Sequence, residues 1–192
     1  MADPVPFAAE PTSIAGLLLL RIKQVADDRG VVREFFRASA FTDAVRPAPG
    51  PWRQINVTQT RRGALRGIHA EAMSKLVAVV SGTAFGAYVD LRVDSDTRGA
   101  VVTADLGPGI AVLVPAGVGN GFQSTGEQDS QYLYAFDDEW RPDMPGQAIT
   151  PLDPALRIAW PIPIERDDPS QISAKDVAAP TLAELFSTKR PG

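Results

Sequence analysis

The 192-residue chain has no cysteine and a single histidine, His69. The first absence excludes disulfides and thiol chemistry and fits a reducing, cytoplasmic setting. The second removes any metal centre built from several imidazoles, since the transition metals of β domains are held by sets of nitrogen and sulfur ligands. An all-carboxylate site would take only hard cations. One imidazole is still enough to move a proton near neutral pH. Long apolar runs are missing as well: none approaches the roughly 20 residues that span a bilayer. Residues 1–13 carry acidic groups and prolines where a leader would have a basic and then an apolar stretch. Basic runs are also absent, and 19 Lys and Arg against 23 Asp and Glu give a net charge of −4. Nucleic acid is therefore a poor partner for this surface, although a few converging arginines would hold a small anion.

What is present is ordinary for a globular protein. Hydrophobic residues make up 44% and charged residues 22%, enough at this length for one well-buried core. A single domain over residues 1–192 is expected, with loose tails at 1–12 and 187–192. Seventeen prolines and sixteen glycines cut the chain into short segments. Lys75 to Val80 and Ala84 to Val93, joined by Ser-Gly-Thr, are predicted as two strands with a tight connection. Val101 to Leu106 and Ile110 to Val114, joined by Gly-Pro-Gly, repeat the pattern, and Gln131 to Phe136 is a further strand. Helical signals are confined to Ala38–Val45 and to Thr181–Phe186 behind Pro180. The expected class is all-β: a jelly-roll or cupin-like sandwich barrel with a few short peripheral helices.

Three segments hold residues with chemical potential. In Arg66-Gly-Ile-His69, followed six positions on by Lys75, a β-barrel would let Arg66, His69 and Lys75 converge on one cavity, with Gly67 suited to a close backbone approach. Taken alone, His69 reads first as a hydrogen-bonded structural residue, the commoner role of a lone histidine. Pro115-Ala-Gly-Val-Gly-Asn-Gly-Phe122 reads as a glycine-rich loop after Val114. It lacks the lysine and following helix of a phosphate cradle. Ser173-Ala-Lys-Asp176 has the composition of a helix-capping turn.

Together these segments say more. Arg66-Gly-Ile-His69, Lys75-Leu-Val, Val89-Asp-Leu-Arg92, Pro115 to Phe122, Leu133-Tyr134, Ile158-Ala-Trp-Pro161 and Ile172-Ser-Ala-Lys-Asp176 occur in an order and spacing that resembles the dTDP-4-dehydrorhamnose 3,5-epimerases, from about Ile22 to Leu185. The resemblance implies a homodimer of jelly-roll subunits that uses no cofactor and no metal. It implies a dTDP-4-keto-6-deoxyhexose as substrate, with C3, C5 or both inverted through an enolate.

Residue by residue, it implies that His69 is the base and Asp176 the carboxylate that orients it. Lys75 would face the enolate oxygen, and Tyr134 would be the acid on the opposite face. Arg66 and Lys175 would contact the diphosphate. Arg29, Glu34, Gln54, Asn56 and Trp140 would serve the nucleotide, with Arg29 and Glu34 supplied across the dimer interface. The chain departs from the family pattern where Asn120 replaces a histidine, Gly86 an acidic residue and Glu71 a common glutamine. Asn120 can still donate to a sugar oxygen but cannot carry charge. Other readings of the same fold are a ketoisomerase of dTDP-sugars, a non-catalytic nucleotide-sugar-binding protein, and a metal-dependent oxygenase, the last disfavoured by the histidine count.

Overall fold

The structure, a computed structural model, describes residues 4–45 and 50–188. In chain order its elements are β1 (Ala8–Pro11), β2 (Leu18–Arg21), β3 (Lys23–Asp27), β4 (Gly30–Glu34), α1 (Ala38–Ala44), β5 (Gln54–Thr60), β6 (Leu65–Glu71) and β7 (Lys75–Ser81). They continue with β8 (Ala84–Asp90), β9 (Val101–Leu106), β10 (Ile110–Val114), β11 (Val118–Ser124), β12 (Ser130–Phe136), β13 (Gly146–Ala148), a 3-10 turn (Pro154–Leu156), α2 (Ala174–Val177) and α3 (Leu182–Ser187).

Alternation along the strands dictates how these pieces are layered. In β7, Val77 and Val79 point one way, Leu76 and Ala78 the other, and all four are buried. A strand apolar on both faces has to be covered on both. One cover is a second sheet: the order β1-β2-β10-β7-β12-β5 faces the order β13-β6-β11-β8-β9, and every pairing is antiparallel. Val77, Val79, Val112 and Tyr132 from the first sheet meet Tyr88, Leu106, Val118 and Phe122 from the second. The opposite face of the six-stranded sheet, with Leu76, Ala78, Leu113 and Ala135, is covered by Phe41 of α1 and by Val45. The outer face of the five-stranded sheet, with Ile68, Ala70, Val89 and Leu91, is covered by Ile149, Leu156 and three residues of α3. Each fully buried aliphatic or aromatic side chain contributes about 1.5–3 kcal/mol. The sandwich with small peripheral helices agrees with the class expected from sequence.

Three local expectations need correction. Residues 8–11 are not a loose tail, because they form β1 against β2. Ser187 closes α3 and Thr188 caps it, while 1–3 and 189–192 lie outside the described residues. The stretch Pro115 to Phe122 is a loop only as far as Gly117, since β11 starts at Val118. Its later glycines answer to packing: a Cβ on Gly119 or Gly121 would lie 2.6 or 2.9 Å from the Ile68 side chain. The strand expected over Ala84–Val93 ends at Asp90, whose side chain turns the chain by accepting bonds from Arg92, Ser95 and Thr97.

Candidate active site

The same alternation that builds the core delivers polar groups to one end of it. On β6, Ile68 and Ala70 belong to the outer cluster, so His69 and Glu71 face inward. Lys75 shares the inward face of β7 with Val77, and Tyr134 lies between Tyr132 and Phe136 on the inward face of β12. Arg66, His69, Glu71, Lys75, Asn120, Phe122, Tyr134 and Phe136 line a small cavity of about 60 Å3. It adjoins a wider cleft of about 360 Å3 that shares Arg66, His69 and Tyr134 and adds Ser170, Gln171, Lys175 and Asp176. A still larger cleft, about 670 Å3, shares only Glu71 with the small cavity and contains neither His69 nor Tyr134. The chemistry is assigned to the smaller spaces because the candidate acid and base converge there.

His69 Nε2 lies 2.7 Å from Asp176 Oδ1. Asp176 is held in turn by its place in α2: Ser173 caps this single turn by accepting the Asp176 N–H at 3.1 Å. The capping turn read from Ser173 to Asp176 therefore has a second use, aiming a buried carboxylate at the imidazole. Burial alone would raise the Asp176 pKa, but His69, Ser173 and the Gly67 N–H outweigh it and hold the carboxyl below its usual range. A carboxylate fixed on Nε2–H leaves Nδ1 as the basic nitrogen of neutral His69.

Lys75 is only 3% exposed. Its Nζ donates to the His69 carbonyl at 3.1 Å and forms an ion pair with Glu71. Burial pushes its pKa down, and Glu71 opposes that. The Tyr134 pKa is raised by burial, with Thr58 and the Arg66 charge partly offsetting the effect, so the phenol holds its proton at neutral pH. Arg66 Nε donates to Thr60 at 3.1 Å.

The remaining expected residues divide into two groups. Asn120 is buried, stands opposite His69 on β6 and Tyr88 on β8, and directs its amide at the Tyr132 hydroxyl, 3.5 Å away. The departure at Gly86 has a steric cause, since a Cβ there would lie 2.8 Å from the Tyr88 hydroxyl. Tyr88 thus fills the space next to position 86, and burial raises the pKa of both Tyr88 and Tyr132. Gln54, Asn56 and Trp140 form a linked patch at the strand edge: Gln54 Nε2 donates to Asn56 at 3.3 Å, and the Trp140 N–H donates to Gln54 at 2.8 Å. Arg29 and Glu34, by contrast, sit on the β3–β4 hairpin and bond locally to Asp27 and Arg37. Neither lines the His69 cavities.

Sequence reasoning missed Thr58 and Thr60. The signal was there in Gln54-x-Asn56-x-Thr58-x-Thr60, one polar face of a strand repeating every second residue. It also left Glu71 without a role, although this residue lies four positions before Lys75.

A half-buried imidazole oriented by a buried carboxylate, an ammonium and a protonated phenol around one cavity can remove and return a proton without redox change. Comparison with known proteins agrees. The family model described as dTDP-4-dehydrorhamnose 3,5-epimerase matches residues 11–184. A dTDP-4-dehydrorhamnose 3,5-epimerase of Streptomyces griseus is 33% identical, covering 91% of this chain and 86% of its own. A dTDP-4-dehydro-6-deoxyglucose 3-epimerase of Streptomyces bikiniensis is 35% identical, covering 90% and 88%. Among solved structures, a 4-keto-6-deoxy sugar epimerase from the novobiocin biosynthetic gene cluster of Streptomyces spheroides superposes with a TM-score of 0.85 at 29% identity, over 97% of this chain and 92% of that one. On the match along residues 11–184 and these relatives, the chain belongs to the dTDP-4-dehydrorhamnose 3,5-epimerase family.

Proposed function

We propose that the protein epimerises a dTDP-4-keto-6-deoxyhexose at a carbon next to the C4 ketone, with His69, Asp176, Lys75 and Tyr134 as the working residues. The observation that carries this reading is the 2.7 Å His69–Asp176 contact in the cleft that also holds Tyr134. His69 Nδ1 takes the proton from C3 or C5, and the C–H electron pair moves into the ring as the C4 carbonyl becomes an enolate. The Lys75 ammonium faces that oxygen, where charge develops only as the bond breaks. Tyr134 then gives its hydroxyl proton to the opposite face of the same carbon, which inverts it. Imidazolium and tyrosinate are reset by proton exchange with water. Arg66 and Lys175 border the cleft and would pair with the diphosphate, while Asn120 donates to the sugar. No cofactor takes part, and the reaction is set in the cytoplasm.

A second copy of the chain fits the same reading. β5 is an edge strand whose Ile55 and Val57 are 62% and 56% exposed, on the face they share with Ala135 and Leu133. Val25, Val31 and Val32 are exposed on the β3–β4 hairpin that carries Arg29 and Glu34. Pairing two such surfaces in a homodimer would bury them and bring a partner's Arg29 and Glu34 towards Gln54, Asn56 and Trp140.

The test is incubation with dTDP-4-keto-6-deoxyglucose in D2O, following deuterium at each carbon and the configuration of the product. Label with inversion at C3, at C5 or at both supports the reading and fixes the regiochemistry. Tight binding of dTDP with no label at either carbon overturns it.

A further inference from the structure

Glu71 has no part in the mechanism above, yet it is the one carboxylate in the small cavity. Its side chain is about four-fifths buried, and the Lys75 that it pairs with is almost wholly so. A buried ammonium without a partner tends to shed its proton, and a lysine that has done so cannot steady an enolate. Lys75 also has little freedom to find another partner. It opens β7, pairs in register with Val114 and Phe136, and among the described residues the only other bond of its ammonium is to the neutral His69 carbonyl. The remaining titratable groups around the cavity are His69 and Arg66 from β6 and Tyr134 from β12, while β11 contributes the neutral Asn120 and Phe122. Asp137, just beyond β12, is bound to the Ser74 N–H. His69 in its basic form and Tyr134 in its acidic form are neutral, and Arg66 is a second cation. Glu71 alone can offset the Lys75 charge from within the cavity.

We propose that Glu71 is a positioning residue for this reaction, its carboxylate holding the Lys75 ammonium at the cavity wall and keeping it charged between turnovers. This rests on the epimerase reading, in which Lys75 meets the enolate oxygen. Glu71 also borders the larger cleft, whose lining includes neither His69 nor Tyr134.

The experiment compares wild type, Glu71→Gln, Lys75→Gln and the double variant in two measurements. Glutamine keeps the shape and an acceptor for Nζ but removes the charge. In the first, the Lys75 side chain is titrated by NMR in protein carrying 13C-labelled lysine, the Lys75→Gln spectrum assigning its signal among four lysines. In the second, deuterium exchange into the 4-keto sugar is followed from pH 6 to 9. In Glu71→Gln we expect Lys75 to titrate at least about one pH unit lower, and the alkaline limb of kcat to fall by the same interval, near tenfold at its upper end. KM should barely move, and the double variant should be no slower than Lys75→Gln alone. An unmoved Lys75 titration, or a loss that is uniform across pH and additive with Lys75→Gln, overturns the proposal. If wild type shows no exchange at any pH, the epimerase reading fails, while the NMR titration still judges the Glu71–Lys75 link.

Discussion

His69 and Asp176 are 107 positions apart in sequence and 2.7 Å apart in space, and the proposed mechanism uses them as a pair. Replacing His69 with Asn should lower kcat by about 10^3-fold while dTDP binding, measured by calorimetry, stays near wild type. Asp176→Asn should lower kcat by about 10^2–10^4-fold, because an amide can satisfy the wrong tautomer of the imidazole as readily as the right one. Turnover near normal in either variant would contradict the assignment. Asp90 presents a different case, structural and strongly acidic. It is fully buried and collects bonds from Arg92, Ser95 and Thr97, and although burial pulls its pKa upward, those donors hold it far below the ordinary carboxylate range. A carboxylate depressed on folding adds stability above its unfolded pKa, and that contribution drains away as pH drops through the folded value. Asp90→Asn should therefore cost about 3–5 kcal/mol at pH 7 in urea melts, and the gap from wild type should narrow below about pH 4. Several of these residues were legible before any fold was known, because His69, Lys75 and Asp176 sit in ordered motifs. The Ser173 cap was legible too, but its use in aiming Asp176 at His69 and the link from Glu71 to Lys75 were not, since both depend on which way side chains point once strands have paired.

Among the elements, strands rich in apolar and β-branched residues between turn-rich flanks were readable from the residues alone: β7, β9, β10 and β12 fall within a residue of expectation. Short edge pieces such as β1 and β13 were not. Four or three residues carry too little pattern, and their pairing is decided by partners far along the chain. β11 was misread because its glycines imitate a loop. Their real constraint gives a sharp expectation: Gly121→Ala drives a Cβ against Ile68 and the Arg66 carbonyl, so it should destabilise by about 1–3 kcal/mol in thermal melts. A stability equal to wild type would mean that the two strands can separate without cost. At the C-terminal end, α3 begins in a capping box between Thr181 and Glu184. Thr181→Ala should cost about 1 kcal/mol, read by the same melts.

For the whole molecule, the exposed valines and Ile55 mark a surface that a lone chain leaves wet. Ile55→Asp with Val57→Asp should halve the mass seen by analytical ultracentrifugation and weaken dTDP binding, with the far-UV spectrum unchanged. A mass equal to wild type would contradict the proposed pairing through this surface. Among the described residues no helix is long and apolar enough to cross a membrane. The sandwich itself was anticipated from many short strands and few helices. The way its two outer faces are covered was not, because α1 and the C-terminal residues that do this have no sequence pattern tying them to a particular sheet.

Those coverings have one more consequence. The proposed base, His69, belongs to β6, second from one edge of the five-stranded sheet, whereas Asp176 arrives on the C-terminal stretch that also lays Leu182, Leu185 and Phe186 over that sheet's back. That stretch grips mainly through this patch, through Asp153 accepting the Leu182 N–H and through the Leu65–Gln171 and Thr150–Pro180 backbone bonds. Few of these holds involve pairing between strands, so we expect the stretch to peel away while the strands remain paired. Catalysis would then act as a clasp sensor: on gentle warming, turnover should fade several degrees before the β-sheet signal in circular dichroism gives way, and it should return on cooling as the clasp closes again.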